Sequence, residues 1–386
     1  MHTVRINRKG ANRVASGHPW VFSSDVLDRG EAAPGDAVRV VDPKGVSLGT
    51  AHYSSSSQIT LRMLSARAES IDRAFFKGRI EQAEAYRKRV AADAEAYRLV
   101  HGEGDQLPGL VIDRYGDYFT MQTLDQAMDR AKAEIAGCLE ELFSPRGVVE
   151  RNDVAVRKRE GLPLQTGVLA GQIPETVALR INGLMLHADL LHGQKTGIFL
   201  DQRENYLAAA RYARGRALDC FTSTGGFALH LASRCEGVEA VDSGEAALRV
   251  ARLNSEANAI SNINFREADV FELLAGHAGA HRRFDLIVLD PPAFAKSRQN
   301  LDAAARGYRE INRRALELLG SGGILVTCSC SHHFSEAALL DVVAQASLDT
   351  GKNLRVLERR MQAQDHPVLL TVPETLYLKC LILEVI

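Results

Sequence analysis

The sequence predicts an α/β protein built from a small β-barrel, a small central α/β domain and a doubly wound parallel sheet in the C-terminal half. Three observations carry this expectation. Strand and helix patterns alternate regularly from about Gly215 onward, as they do when helices cross over between parallel strands. Short strand-like runs crowd the first 67 residues between turn residues. Aspartates close or follow four successive strands of the C-terminal half.

The elements follow in order. Ala37–Val41, Gly45–His52 and Gln58–Leu64 read as strands, separated by Asp42-Pro43 and the serine run Ser54 to Ser57. Such close spacing suits a small barrel, assigned to residues 1–67. From Ile71 to about Ala96 the spacing becomes helical, with Ile71, Phe75, Phe76, Ile80, Ala83 and Val90 on one face. Residues 68–96 are therefore expected to be a linker helix. Residues 97–190 mix strands (Gly109–Asp113, Tyr118–Leu124, Val148–Glu150) with a helix near Gln126–Leu142, and are assigned to the central domain. The last domain, 191–386, places strands at Ala217–Cys220, Val238–Val241, Ile263–Glu267, Leu286–Leu289 and Ile324–Cys328.

Composition narrows the class. The 386 residues suit two or three domains at about 150 residues each. With 46% hydrophobic and 25% charged residues the chain reads as globular rather than disordered. Its formal net charge of -1 does not announce a nucleic-acid partner, so any basic surface must be local. The six cysteines form no CxxC pair and no zinc spacing with histidine, so no metal is expected. A reducing cytoplasm fits them best. No signal-peptide core is visible in MHTVRINRKGANRVASGHPW, and aliphatic stretches such as Leu286 to Leu289 fall far short of the roughly 20 residues that span a bilayer. The expected location is cytoplasmic, with no membrane partner.

In open α/β sheets ligands sit beyond the carboxyl ends of the strands. Asp219 lies at the end of the first strand, followed by Phe221-Thr222-Ser223-Thr224-Gly225-Gly226-Phe227. Glycines there let backbone approach a ligand with no Cβ in the way. The run is not GxGxxG, so a cofactor with a small amino-acid tail fits better than a dinucleotide. Asp242, beside Ser243, closes the second strand, where an acid can accept both hydroxyls of a ribose. Asp269 follows the third strand, in position to meet an adenine amino group. Asp290 opens the run DPPAFAKSR after the fourth. Asp242 and Asp269 also precede helices and could each be an N-cap. Four such acids plus a glycine turn are hard to explain as caps alone.

Two further elements carry chemistry. Pro291 and Pro292 stiffen the backbone after Asp290 and remove two N–H donors. The free carbonyls and the carboxylate can then face a planar, amide-like edge, and Phe294 can stack on a base. The fifth strand ends in Thr327-Cys328-Ser329-Cys330-Ser331. A cysteine beside a cofactor site suggests a nucleophile: a thiolate adding at carbon 6 of a pyrimidine makes carbon 5 able to attack an electrophilic methyl. Most cysteines are small apolar fillers, and Cys220 and Cys328 read that way. Cys330 is preferred because it lies further into the strand-end region.

The runs LDCFTSTGGFALH, VDSGEAALRVARLN, DLIVLDPPAFAKSR, Tyr308-Arg309-Glu310-Ile311-Asn312 and GGILVTCSCS, with HGQKTGIFLDQRENY upstream, resemble the bacterial large-subunit ribosomal RNA cytosine-5 methyltransferases. The start RKGANRVASGHPWVFSSDV resembles a PUA-type RNA-binding barrel. The resemblance covers nearly the whole chain in the same order. It implies a class I, Rossmann-like methyltransferase domain after a PUA barrel, and Cys330 as nucleophile. It also implies S-adenosylmethionine near Phe221, Gly225, Asp242, Asp269 and Asp290, and near Lys195, Thr196, Asp201 and Arg203. Ser223 stands where members often carry an aromatic, and Tyr206 where they often carry arginine. Members are often homodimers, so a second copy joins ribosomal RNA among the expected partners.

A base methylated on its edge must be exposed, so a flipped or single-stranded target is expected. Lys296 and Arg298, directly after Asp-Pro-Pro, are expected to meet phosphate. Arg306, Arg309, Arg313 and Arg314 on the next helix read more readily as a solvated face. Arg5, Arg8, Lys9, Arg13 and the run Arg157-Lys158-Arg159 are further basic clusters. Three other readings stay open: uracil-5 methylation by the same thiolate chemistry, methylation of an exocyclic amino group, and a non-catalytic RNA-binding protein.

Overall fold

The computed structural model describes residues 1–295 and 298–386, without the side chain of Arg298. Lys296 and the Arg298 side chain, both expected to meet RNA, thus lie outside the described residues. The chain forms two compact units. The first holds Met1–Leu179, Ala188–Ile198 and Gln364–Thr375; the second holds Arg180–His187, Phe199–Ala363 and Leu376–Ile386.

The first unit contains two sheets. One has six strands in the order Trp20–Phe22, Ile59–Ser65, Ser47–Tyr53, Ala37–Val41, Thr3–Ile6 and Val26–Asp28. Val4, Ile6, Val38, Val40, Ala51 and Leu61 alternate into its core. The other has five strands in the order Gln165–Gly171, Gly147–Asn152, Tyr118–Thr123, Leu110–Tyr115 and Ala96–His101. The helix Arg73–Val90 starts where the Asp72 carboxylate accepts the Phe75 N–H at 3.1 Å, a side-chain cap for an orphan donor. It buries Phe76, Ile80 and Ala83, three of the six residues expected on its apolar face, against this sheet's core.

One basic cluster reads differently once folded. Arg157 is fully buried, with its guanidinium donating to the Pro163 carbonyl at 2.9 Å, to the Thr123 carbonyl, and to Asp129 at 2.9 Å. Of the run Arg157-Lys158-Arg159 only Lys158 and Arg159 reach the surface. Arg157 organises a loop.

The second unit is a seven-stranded sheet. Its strands are β1 (Arg216–Cys220), β2 (Gly237–Asp242), β3 (Ile263–Glu267), β4 (Phe284–Leu289), β5 (Leu319–Ser329), β6 (Leu354–Met361) and β7 (Lys379–Val385). Helices α1 (Arg203–Ala210), α2 (Gly226–Ala232), α3 (Glu245–Ala257), α4 (Val270–Gly279), α5 (Leu301–Leu318) and α6 (Glu336–Asp349) lie between and before them. The strand order is β3-β2-β1-β4-β5-β7-β6. The neighbours from β3 to β5 pair in parallel, and β7 runs antiparallel to both β5 and β6. Within β4, Leu286 and Val288 join one core while Ile287 and Leu289 join the other. That alternation explains why a strand covered by helices on both faces reads as an unbroken apolar run. The order reverses between β1 and β4, which places a ligand crevice beyond their carboxyl ends.

Breaking a buried ion pair strands the remaining charge. Arg157→Met should therefore cost roughly 3 kcal/mol of stability in thermal or denaturant unfolding, whereas Lys158→Met, on the exposed next residue, should cost almost nothing.

Candidate active site

The loop after β1 is backbone under constraint. Phe221, Ser223 and Gly225 have φ of 64°, 50° and 87°. Two non-glycine residues in the left-handed region cost on the order of 1 kcal/mol each or more, and surrounding contacts must hold them there. The contacts are visible. The Thr222 N–H donates to the Val241 carbonyl at 2.9 Å, and the Ser223 N–H to Asp242 Oδ2 at 2.9 Å. Gly226 allows close packing over the first turn of α2: a Cβ there would lie 2.4 Å from the Tyr206 ring. Tyr206 meets Phe227 edge-on and stacks on His230. The His230 Nδ1 lies 2.7 Å from the Gly226 carbonyl, which can only accept, so Nδ1 carries the proton. Burial lowers the His230 pKa to about 4, keeping the ring neutral.

Asp219 is fully buried at the end of β1. Its Oδ2 accepts from Thr222 Oγ1 at 2.6 Å and from the Ala228 N–H at 2.9 Å. Its Oδ1 is buried without a hydrogen-bond partner. Burial raises its pKa to about 7; the Thr222 and Ala228 bonds oppose the rise, and Asp290 and Asp242 add to it. A buried carboxylate with one unpartnered oxygen fits a cationic ligand group, such as the ammonium of an amino-acid tail.

The other expected residues are placed as follows. Asp242, half-buried, accepts the Ser223 N–H on Oδ2 and the Gly244 N–H on Oδ1, both at 2.9 Å. Ser243 beside it is exposed. The carbonyl of Thr224 accepts from Asn254 at 3.0 Å. Asp269 is exposed and caps α4, accepting the Glu272 N–H at 3.0 Å. Asp201 is buried and accepts from the Tyr377 hydroxyl at 2.7 Å. Arg203 is buried at the start of α1, its carbonyl accepting from Asn182 at 2.8 Å. Lys195 and Thr196 belong to the first unit. Lys195 is exposed there; Thr196 is buried, bonded to Asp113 and at 3.1 Å to the Tyr115 hydroxyl.

At the end of β4, Asp290 accepts on Oδ2 from Gln202 Nε2 at 3.0 Å. Gln202 in turn accepts from Asn205 at 2.7 Å. Pro291 is buried and Pro292 exposed. The Phe294 ring lies 4.7 Å from that of Tyr308 and 6.3 Å from that of Phe271, so one side of it is packed.

At the end of β5, Ser329 and Ser331 are buried while Cys330 between them is half-buried. Ser329 Oγ donates to the Tyr308 hydroxyl at 2.8 Å, and Ser331 Oγ lies 3.1 Å from the same hydroxyl. The Ala295 N–H donates to Ser331 Oγ at 3.2 Å, tying the Asp-Pro-Pro loop to the serine-cysteine turn. Tyr308, one of the residues in the α5 run, is the post that both serines lean on. Cys220 and Cys328 are fully buried in their strands, as expected of fillers. Two residues escaped the sequence reading. Gln202 lies within the run HGQKTGIFLDQRENY, but nothing in its residue type singles it out there. Lys379 did leave a signal: it is a lone lysine opening the apolar run KCLILEV.

A doubly wound sheet whose first strand ends in a buried acid and a left-handed loop has the form of a cofactor-binding α/β domain. Residues 151–381 match the family described as S-adenosylmethionine-dependent methyltransferase, and residues 4–66 match the PUA-like domain. Ribosomal RNA large subunit methyltransferase I of Klebsiella pneumoniae subsp. pneumoniae is 42% identical over 371 residues, 94% of this chain and 93% of its own length. The protein of that name from Escherichia coli O157:H7 is 41% identical, with 94% of each chain covered. A solved chain from Streptococcus mutans, assigned to the SAM-dependent methyltransferases, superposes with a TM-score of 0.85 at 22% identity over 100% of both chains. SMU.776, solved with SAH, superposes with a TM-score of 0.87 at 21% identity, again over 100% of both chains. The chain belongs to the S-adenosylmethionine-dependent methyltransferases, within the family of ribosomal RNA large subunit methyltransferase I. Its cofactor is S-adenosylmethionine.

Asp219 generates a prediction with a definite sign. Its pKa is higher in the fold, about 7, than its ordinary 3.8. The contribution of this group to stability is therefore full below about pH 4 and lost as pH rises through 7. Asp219→Asn keeps an acceptor for Thr222 and Ala228 and should flatten the decline in ligand-free melting temperature between pH 5 and 8. Calorimetry should show cofactor binding weakened by about tenfold or more, the usual loss of a charge-assisted bond.

Proposed function

We propose that this chain methylates carbon 5 of a cytosine in large-subunit ribosomal RNA through a covalent adduct between Cys330 and carbon 6. The observation that carries the reading is the turn Ser329-Cys330-Ser331: both serines are buried on Tyr308, and the cysteine between them is the half-buried member. The name shared by the relatives supports ribosomal RNA as substrate, and the PUA-like match supports an RNA partner.

S-adenosylmethionine supplies a methyl group on a sulfonium when bound. Asp219, Asp242 and the Phe221–Gly225 loop would hold it, with Asp290 at the border between cofactor and base. Cys330, as thiolate, forms the sulfur–carbon bond at C6 and pushes the ring π pair toward C5. C5 would then have the electron density to form its bond to the methyl carbon, as the methyl–sulfur bond breaks and its electron pair stays on the sulfur as a neutral thioether. Loss of the C5 proton to a base returns the electron pair, and the carbon–sulfur bond breaks to release the thiolate. Asp290 and the carbonyls around Pro291 and Pro292 face the amide-like edge of the pyrimidine, and Phe294 borders the same loop. An amino-group methylation would need the acidic loop but no thiol.

Ribosomal RNA containing 5-fluorocytosine tests this, because fluorine at C5 cannot leave as a proton. With S-adenosylmethionine the wild-type protein should form an adduct stable to denaturing electrophoresis, and Cys330→Ala should form none. Equal adduct from Cys330→Ala would sink the mechanism. Methyl transfer that survives replacement of every cysteine would favour the amino-group reaction. A trap that forms only with 5-fluorouracil would move the target to uracil.

A further inference from the structure

We propose that Lys379 is the positioning residue that holds the Cys330 side chain as a thiolate. The inference rests on the reading of Cys330 as nucleophile. It starts from where β7 lies. That strand runs antiparallel beside β5, with Lys379 facing Ser329 across the ladder. The first residue of β7 thus sits beside the residue that precedes Cys330.

Lys379 is 5% exposed. Burying an ammonium is costly unless it is well paired. Yet among the described residues no carboxylate pairs with it. Its Nζ donates to the Ser331 carbonyl at 2.7 Å and to the Tyr377 carbonyl at 2.9 Å. A lysine ammonium has three hydrogens to give, and these neutral carbonyls take two. One of the two belongs to the residue directly after Cys330, so the ammonium is fixed to the turn that carries the thiol. Burial pulls the lysine down to about pKa 8, and negative charge on Cys330 is what opposes that fall. The coupling is reciprocal: a cation that a thiolate stabilises also stabilises the thiolate.

The groups described around this turn include no other buried cation. Tyr308, on α5, is kept protonated chiefly by burial and accepts from Ser329. Cys328 lies opposite Cys380 in the strands behind, and its hydrogen bond to Cys380 and its burial hold it well above the ordinary thiol value. Asp290, directly after β4, is a carboxyl group and offers no positive charge. Tyr377 donates to Asp201, and the exposed His332 ring lies 5.4 Å from that of Tyr377. Lys379 is the buried cation in this set.

The test measures ionisation without RNA or cofactor. Wild-type protein is treated with iodoacetamide between pH 5 and 11, and the rate at the Cys330 peptide is followed by mass spectrometry. The wild-type midpoint should fall below the ordinary thiol value of about 8.5. Lys379→Met should raise it by a unit or more, slowing alkylation at pH 7 about tenfold while leaving the rate at pH 10.5 unchanged. Lys379→Arg, which keeps the charge, should hold the midpoint near wild type. A packing role alone would change the rate by one factor at every pH. A wild-type midpoint at or above 8.5 overturns the proposal even if the variants do not fold, and so does an unchanged midpoint in a folded Lys379→Met. If Cys330→Ala still methylates RNA, the nucleophile reading fails, while the alkylation midpoints still decide what Lys379 does to the thiol.

Discussion

The reversal of strand order at β1 is the constraint on which the rest of the second unit depends. The strand registers lock one residue row across the sheet: Arg266, Val241, Cys220, Leu289 and Thr327 through parallel pairs, and Leu381 through the antiparallel pair with β7. One step beyond that row stand Phe221, Asp242 and Asp290; three steps beyond it on β5 stands Cys330. Because side chains alternate faces along a strand, a slip of one residue in any pairing would turn these groups into the core. The crevice is therefore set by backbone hydrogen bonds well inside the sheet, and the loops only finish it. Gly225, Gly226 and the left-handed Phe221 and Ser223 let the chain turn away from the crevice soon after β1 ends.

The charges around that crevice are distributed unequally. Asp219, Asp242 and Asp290 are near enough for the last two to raise the pKa of the first. The Tyr206 phenol, which burial holds well above its ordinary value, feels Asp290, Asp201 and Asp219 as well. Such a gathering of acids at one end of a fold is unfavourable when the site is empty, and becomes favourable when a ligand bearing ammonium and sulfonium charges arrives. On the proposed reading, binding and stability oppose each other at this site: the acids that destabilise the empty fold are the ones proposed to hold the cofactor. On the β5 side the sign changes, with Lys379 as the buried cation beside a thiol.

Much of this arrangement was legible in the residues, for a physical reason. A parallel sheet covered on both faces leaves long apolar runs, and the groups that face a ligand must fall where each run stops. Asp219, Asp242, Asp290 and Cys330 all stand at such stops. The less legible parts depend on contacts distant in sequence. Gln202 reaches Asp290 across 88 positions, and Tyr308 reaches Ser329 across 21. No local pattern encodes either pair. Asp269 shows the converse: the acid stands where a ligand contact was expected, and the structure gives its carboxylate a capping bond as well. Ser223 and Tyr206, which depart from the pattern of similar proteins, are accommodated by backbone. Ser223 is held by its N–H on Asp242, and Tyr206 packs into the space that Gly226 leaves. The loss of Arg157 from the basic surface was not readable at all, since three basic residues in a row look alike until one of them is buried.

The choice between Cys328 and Cys330 illustrates how a strand end separates two chemically identical groups. Both sit on β5 or directly beyond it, two residues apart. Cys328 is inside the ladder, opposite Cys380, fully buried. A thiolate there would have no water and no cation, and its neighbours Cys380 and Asp290 raise its pKa further. It stays a thiol and behaves as an apolar filler. The ladder ends at Ser329, and the next residue leaves the sheet. Of the six cysteines only Cys330 is not buried. It also lies next to the serines that Tyr308 fixes and to the carbonyl that Lys379 holds. Ionisation needs solvation or a countercharge, and access to a planar base needs an open side. Both conditions can be met only past the last backbone hydrogen bond of the strand, so the same pairing that silences Cys328 leaves Cys330 at the position the proposed chemistry needs.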